Sequence, residues 1–308
     1  MKIAYLISAY KNPILVKKTV EYLSCKDVAF LIHIDAKSPF GPFASIRGEN
    51  VAFTDKRIPV YWAEFSFVEA QMLLIRQALA APEHYDYFVL LGGSELPLRS
   101  GRYIHNYIER NQEWEFITVV KVPAPGKPLS RTNTLRFPST RPILRFVFRV
   151  LAKIGLAQRD YRKYLGNLEA YSGNTWWALS RQACEYIVEF SQRHPELLKF
   201  YENTHVPDES VFHTILGNSP LKSRIRRNLL YEQWPQEGAR HHPNLLSAKH
   251  VDFFESHEEV PAQDLHGPGE MLFARKFSDD DMHLVERVEK MIRKKDYQYQ
   301  GDLIEVRH

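Results

Sequence analysis

Three short segments hold residue types suited to group transfer. In Thr204-His205-Val206-Pro207-Asp208-Glu209-Ser210, a glutamate stands just ahead of the helical run Val211 to Leu216. It reads either as a helix-start acid serving the dipole or as a carboxylate that takes a proton from a substrate hydroxyl. The titratable neighbours His205, Asp208 and His213 add weight to the second reading. Phe273-Ala274-Arg275-Lys276-Phe277 sets two adjacent cations between aromatics. Such a pair is either a solvated patch or a clamp for a diphosphate, with the guanidinium as a fork and the ammonium as a point charge. Asp35 closes the apolar run Val28 to Ile34. At the carboxyl edge of a βαβ sheet its side chain can accept from a base or ribose; capping a turn with Lys37 is the alternative.

Metal chemistry has two candidate sources. Asp279-Asp280-Asp281 has the DxD spacing with which many transferases hold a divalent ion, but it opens the helical run His283 to Lys294, where acids cap the helix and serve its dipole. His205, His213, His241 and His242 share no HExxH or comparable helical spacing. No metal and no other cofactor is expected.

The elements that must position these residues follow from periodicity. Short β-branched and aromatic runs alternate with amphipathic stretches through the first hundred residues, the signature of a βαβ sheet. Strands are expected at Ile3 to Ile7, Val28 to Ile34, Val51 to Phe53, Val60 to Trp62 and Tyr87 to Leu91. Asn12 and Pro13 mark the start of a first helix, and Ser66-Phe67-Val68-Glu69 supplies a capping box for a second that runs to about Ala80. Gly92 to Pro97 reads as a turn that continues neither element. A helix over about 101–112 and a strand over 115–120 follow, and then a long basic, proline-rich connection from Lys121 to Arg141, longer than a purely structural link requires. Arg141, Arg145, Arg149 and Lys153 recur every fourth residue among apolar side chains. That helix, Pro142 to Gly155, suits either an anionic membrane surface or a half-buried place on the sheet.

Composition narrows the classes further. With 308 residues, 44% of them hydrophobic, the chain can bury a large core. A net charge of +4 is too small for charge-driven nucleic-acid binding. The aromatic share of 13% hints at walls for sugar rings. Cys25 and Cys184, both expected on helices and both buried, fit no zinc spacing and suit a reducing compartment. Without a signal-peptide pattern or a long apolar stretch, the expected location is cytoplasmic, with peripheral contact at the inner face of a membrane.

Taken in order, several blocks are similar to the Branch family of glycosyltransferases, the core-2/I-branching N-acetylglucosaminyltransferases and peptide O-xylosyltransferases. They are Ile32-His33-Ile34-Asp35-Ala36-Lys37, Trp62 followed by Ser66-Phe67-Val68-Glu69, Leu91-Gly92-Gly93-Ser94-Glu95-Leu96-Pro97, Ser172-Gly173-Asn174-Thr175-Trp176-Trp177, Val206-Pro207-Asp208-Glu209-Ser210 and Leu272 to Phe277. The resemblance implies an α/β, GT-A-like single domain, a Rossmann-like mixed sheet flanked by helices. About 1–100 would form the nucleotide-binding half, about 101–270 the acceptor-binding half, and about 271–308 the diphosphate-contacting segment with a terminal helix. It also implies inverting, metal-independent transfer from a UDP-sugar to an oligosaccharide or glycolipid hydroxyl.

By position, Glu209 corresponds to the catalytic base, and Asp35 to a uridine contact on the donor side with Ser8. Arg275 and Lys276 correspond to the diphosphate pair, and Glu95, Trp176 and Trp177 to the acceptor side. N-acetylglucosamine and xylose are the implied sugars. The family's animal members are anchored and disulfide-rich, so two cysteines point to a bacterial relative working on a surface glycan. The competing reading is a catalytically silent carbohydrate- or membrane-binding protein.

Overall fold

A computed structural model describes residues 1–235, 243–260 and 267–305, the last five by backbone alone. His241 and His242 lie outside the described residues. In chain order the elements are β1 (Ile3–Ala9), α1 (Pro13–Leu23), β2 (Val28–Ile34), β3 (Val51–Phe53), α2 (Ser66–Ala80), β4 (Tyr87–Gly92), β5 (Glu95–Pro97) and α3 (Gly101–Arg110). There follow β6 (Glu115–Lys121), α4 (Ser130–Asn133), α5 (Pro142–Lys153), α6 (Arg162–Leu165), β7 (Tyr171–Ser180), α7 (Arg181–Arg193), α8 (Pro195–Tyr201) and α9 (Val211–Gly217). The remainder comprises β8 (Ile225–Arg226), β9 (Leu230–Glu232), α10 (Ala248–Ser256), β10 (Glu259–Val260), β11 (Gly269–Glu270), β12 (Phe273–Arg275) and α11 (Met282–Glu305).

The main sheet has seven strands in the order β3-β2-β1-β4-β7-β6-β8. β3, β2, β1 and β4 run parallel, while β7 lies antiparallel to both β4 and β6. β1 and β4 read as nearly unbroken apolar runs because helices cover both sheet faces, leaving no wet side for polar residues to alternate onto. The chain leaves β1 toward β2 on one side and returns to β4 on the other. Connections therefore diverge at the carboxyl ends of β1 and β4, which opens a crevice at that edge.

A second, three-stranded sheet, β5-β12-β9, stitches the C-terminal segment beside this crevice. Its core pools Leu15 of α1, Leu96 and Leu98 near β5, Ala274 and Phe277 near β12, and Val285 and Val288 of α11. Residues distant in sequence thus share one apolar seam.

Several sequence expectations change. Val60 to Trp62 forms no strand; its backbone donors go to side chains, Val60 N to Asp35 at 3.3 Å and Tyr61 N to Ser66 Oγ at 2.9 Å, rather than to a ladder. α2 begins at Ser66 itself, so Phe65 stands at the N-cap position without a polar side chain and the capping box does not form. Gly92 to Pro97 is not purely a turn, since Glu95 to Pro97 pairs with β12 as β5. Cys25 follows α1 rather than lying within it and is only partly buried; Cys184, on α7, is buried.

The terminal helix begins at Met282. Asp281 caps it, accepting from Leu284 N at 3.1 Å. Asp279 caps a different helix: its two oxygens accept from Ile14 N at 3.0 Å and Leu15 N at 2.8 Å at the start of α1. The aspartate run is therefore engaged at two helix N-termini. Asn12, expected as the cap of α1, has a left-handed backbone and turns its amide away, to Gly93 O at 2.9 Å and Ser94 Oγ at 3.0 Å.

Candidate active site

The crevice at the carboxyl ends of β1, β2 and β4 holds a cavity of about 630 Å³, ample for a nucleotide and a sugar. Ser8, Asp35, Glu95, Trp176, Glu209, Arg275 and Lys276 all line it, so segments spread over more than 260 positions converge there. Trp177 does not. Side chains alternate along β7, and Trp177 points into the core, where its ring meets Phe212 edge-on and its indole nitrogen reaches Gln71 at 3.3 Å. Its expected acceptor role is corrected on that ground.

On the strand-end side, Asp35 is held by its own turn. Oδ1 accepts from Lys37 N at 2.8 Å and from Val60 N, and Oδ2 pairs with Lys37 Nζ at 3.0 Å. Lys37 Nζ in turn lies 4.3 Å from the centre of the Tyr61 ring. The turn-capping role of Asp35 is therefore realised within the cavity wall. His33 Nε2 accepts from Ile58 N at 2.9 Å, which leaves the proton on Nδ1, 3.4 Å from Ser8 Oγ. Burial lowers the His33 pKa to about 4, so the ring stays neutral and Ser8 can turn its own proton toward the cavity.

Gly92 is required where it stands. A Cβ there would lie 2.7 Å from both Glu95 Oε2 and Trp176 Cη2, and would displace the pair that supports Arg275.

Glu209 ends a 3-10 turn, Pro207–Glu209, just before α9 rather than in that helix's first turn. Its Oε2 receives Lys127 Nζ and, at 3.1 Å, Arg131 Nη1; both cations come from the long connection after β6. Lys127 is fixed further by Gly173 O at 2.6 Å. Beside Glu209, Asp208 accepts from Thr175 Oγ1 at 2.6 Å, and burial with the neighbouring Glu209 charge raises its pKa to about 6. His213 is no part of this titratable group. It is fully buried, it bonds Asn174 O at 2.8 Å through Nε2, and burial followed by the Lys127 charge lowers its pKa to about 3.

The basic pair divides. Arg275 sits in carboxylates, with Nε 2.9 Å from Glu95 and Nη1 3.5 Å from Glu232, and its guanidinium lies 4.5 Å from the Trp176 ring centre. Glu95 is itself buried against this guanidinium. Lys276, half-buried, has no carboxylate within ion-pair distance among the described residues. Burial, then the nearby Arg275 and Lys11 charges, lowers its pKa.

A model described as Core-2/I-Branching enzyme matches residues 3–253. The chain belongs to that family. The match includes Ser8, Asp35, Glu95, Trp176 and Glu209 and stops before Arg275 and Lys276. The mixed sheet with helices on both faces is the GT-A-like architecture expected of a family member. Mouse xylosyltransferase 1 is 25% identical over 217 residues, 68% of this chain and 21% of the relative. Rat xylosyltransferase 2 is 23% identical over 242 residues, 76% of this chain and 27% of the relative. The chain spans between a fifth and about a quarter of the length of these curated relatives. Among solved structures, apo mouse xyloside xylosyltransferase 1 aligns over 88% of this chain and 97% of its own at 11% identity with a TM-score of 0.36, too distant to carry an argument.

Sequence reasoning had not singled out Lys127, Arg131 or Glu232 in this family member's cavity. The first two had a signal, a basic pair within a connection too long for its structural task. Glu232 had none, because it becomes relevant only when β9 lies beside β12.

Proposed function

We propose that the chain is an inverting glycosyltransferase that moves N-acetylglucosamine or xylose from a UDP-sugar to a hydroxyl of a glycan acceptor without a metal ion. The observation that carries the reading is that the Glu209 carboxylate and the Lys276 ammonium line one cavity at a nucleotide-type sheet edge. In the reaction the acceptor oxygen bonds to the anomeric carbon as the bond to the diphosphate breaks. The hydroxyl proton passes to Glu209, and the departing electron pair leaves with UDP. Both cations on Glu209 meet Oε2, so Oε1 is the oxygen available to the acceptor. Lys276, with Arg275 and Lys11 close by, supplies positive charge for the leaving group, the task a metal performs in other transferases.

Asp35, Ser8 and the Tyr61 ring suit the nucleoside, while Trp176 offers an edge to a sugar. Glu95 acts in this scheme by orienting Arg275, a positioning role rather than direct acceptor contact. Metal independence is favoured by the use of Asp279 and Asp281 as caps and by the lack, among the described residues, of any cluster of three metal-ligating side chains. The acceptor fits a bacterial surface glycan assembled at the cytoplasmic face of a membrane, a reading supported by the exposed apolar and basic side chains of α5.

The test is transfer from UDP-N-acetylglucosamine and UDP-xylose in excess EDTA. Product is expected with chelator present, and little from Glu209→Gln. Loss of product in EDTA with rescue by manganese would overturn metal independence. UDP binding with no turnover of either donor, in any acceptor mixture, would favour the silent binding protein instead.

A further inference from the structure

α5 is divided lengthwise into three stripes. Phe148, Leu151 and Ala152 are half-buried and hold it to the body, with the Phe148 ring 4.6 Å from that of Phe137. Arg145, Arg149 and Lys153 form the second stripe. The third is Ile143, Phe146, Val147 and Val150, continued by Ile154, at the spacing of one helical face and between 42% and 79% exposed. No residue of α5 is fully buried, and the ring that anchors it, Phe148, meets Phe137 of the preceding connection rather than a strand of the sheet.

An apolar stripe left in water beside a cationic one calls for a partner that satisfies both. The surroundings fix its charge: Arg141, Arg145, Arg149 and Lys153 are all exposed, and the one carboxylate within ion-pair distance of them among the described residues is Glu64, 3.6 Å from Arg145. A second copy of the chain would bring like charges together. A soluble polyanion would use the cations and leave the apolar stripe wet. A bilayer with anionic headgroups meets both.

We propose that α5 is a docking surface for an anionic lipid bilayer, with Ile143, Phe146, Val150 and Ile154 entering the acyl boundary and Arg145, Arg149 and Lys153 resting among the headgroups. Among the described residues no helix is long and apolar enough to cross a membrane, so the contact is one of lying on the surface. The same connection that leads into α5 delivers Lys127 and Arg131 to Glu209. Docking therefore brings the candidate base to a membrane-borne acceptor. That last step rests on the proposed transferase reading, whereas the docking itself does not.

Vesicle flotation tests it, with phosphatidylcholine alone and with about a third phosphatidylglycerol, an anionic surface of the kind that attracts basic segments. Wild type should float with the anionic vesicles only, and less as salt rises to about 1 M and the Debye length falls to about 3 Å. At about fivefold in partition per cation, the triple variant Arg145→Gln, Arg149→Gln, Lys153→Gln should lose about a hundredfold. Phe146→Ser with Ile154→Ser should lose at least about tenfold from the apolar contact. These side chains are exposed, and an unchanged melting temperature will show that the variants fold.

Wild type that floats with neither vesicle, or variants that float as well as wild type, would overturn the proposal. A dimer dissolved by the serine variant would overturn it in favour of a second copy. Anionic binding that depends on the cations but not on Phe146 and Ile154 would overturn it in favour of a polyanion. Transfer to a soluble acceptor, measured in parallel, reads the transferase proposal separately: its failure leaves the flotation result standing.

Discussion

Ser8, Asp35 and Ser94 hang from the carboxyl ends of neighbouring strands, and their partners lie in the same or the adjacent connection. Glu209 and Arg275 line the same cavity by another route. Glu209 is met by Lys127 and Arg131 from 82 and 78 positions away, and Arg275 lies between Glu95 and Glu232. The first group is placed by the parallel ladder of β1, β2 and β4, whose register is fixed by buried apolar side chains rather than by the site residues themselves. The second is placed by charges that neutralise one another in a partly dry cleft. Substitutions among the strand-end residues should therefore disturb no more than the local turn, as at Asp35, while removal of a charge from the second group leaves an oppositely charged partner unneutralised.

The largest expected effect is Glu209→Gln, with turnover falling by about two to four orders of magnitude and UDP affinity nearly unchanged, the range for removing a general base. Steady-state assay with calorimetry decides it; a loss below about tenfold would remove Glu209 from the role. Next comes Arg275→Ala, which strands Glu95 and Glu232 without their cation. A loss of about 3 kcal/mol is expected in denaturant melts, near the low end for breaking a buried pair because the guanidinium keeps 16% exposure.

Its neighbour sharpens the contrast. Lys276→Ala leaves no carboxylate stranded, so stability should shift by less than about 0.5 kcal/mol, as for ordinary surface changes. UDP affinity should fall about tenfold and uridine affinity hardly at all, as for one charge-assisted contact to the diphosphate. Equal weakening of both ligands would place Lys276 elsewhere in the cavity. The smallest expected effect is that of Asp279→Ala, about 1 kcal/mol in thermal melts for a lost cap on α1. Because Asp279 also ties the segment after Lys276 to the start of α1, a small loss of UDP affinity should accompany it. Unchanged stability would show that water replaces the cap.

Much of the element order was legible from local pattern. Val28–Ile34 and Val51–Phe53 match their expected bounds, and α2 and α5 fall where periodicity placed them. Apolar period and proline or glycine punctuation act over a few residues, so they survive whatever the rest of the chain does. Val60 to Trp62 failed for the same reason in reverse: its composition suits a strand, but Asp35 and Ser66 take the donors a ladder would need.

The sequence by itself thus determined most of the strands and helices of the first half, the segments rich in reactive side chains, and the resemblance that joined them. Tertiary structure decided which side chain of each segment does what. Trp176 faces the cavity and Trp177 the core because the pairing of β7 with β4 and β6 fixes which face is inside. Of two adjacent cations, Arg275 meets Glu95 and Glu232 and Lys276 does not, because β12, which ends at Arg275, inserts between β5 and β9. Asp279 caps α1 across 264 positions. Coulomb forces and hydrogen bonds act between neighbours in space, and only the fold makes these residues neighbours.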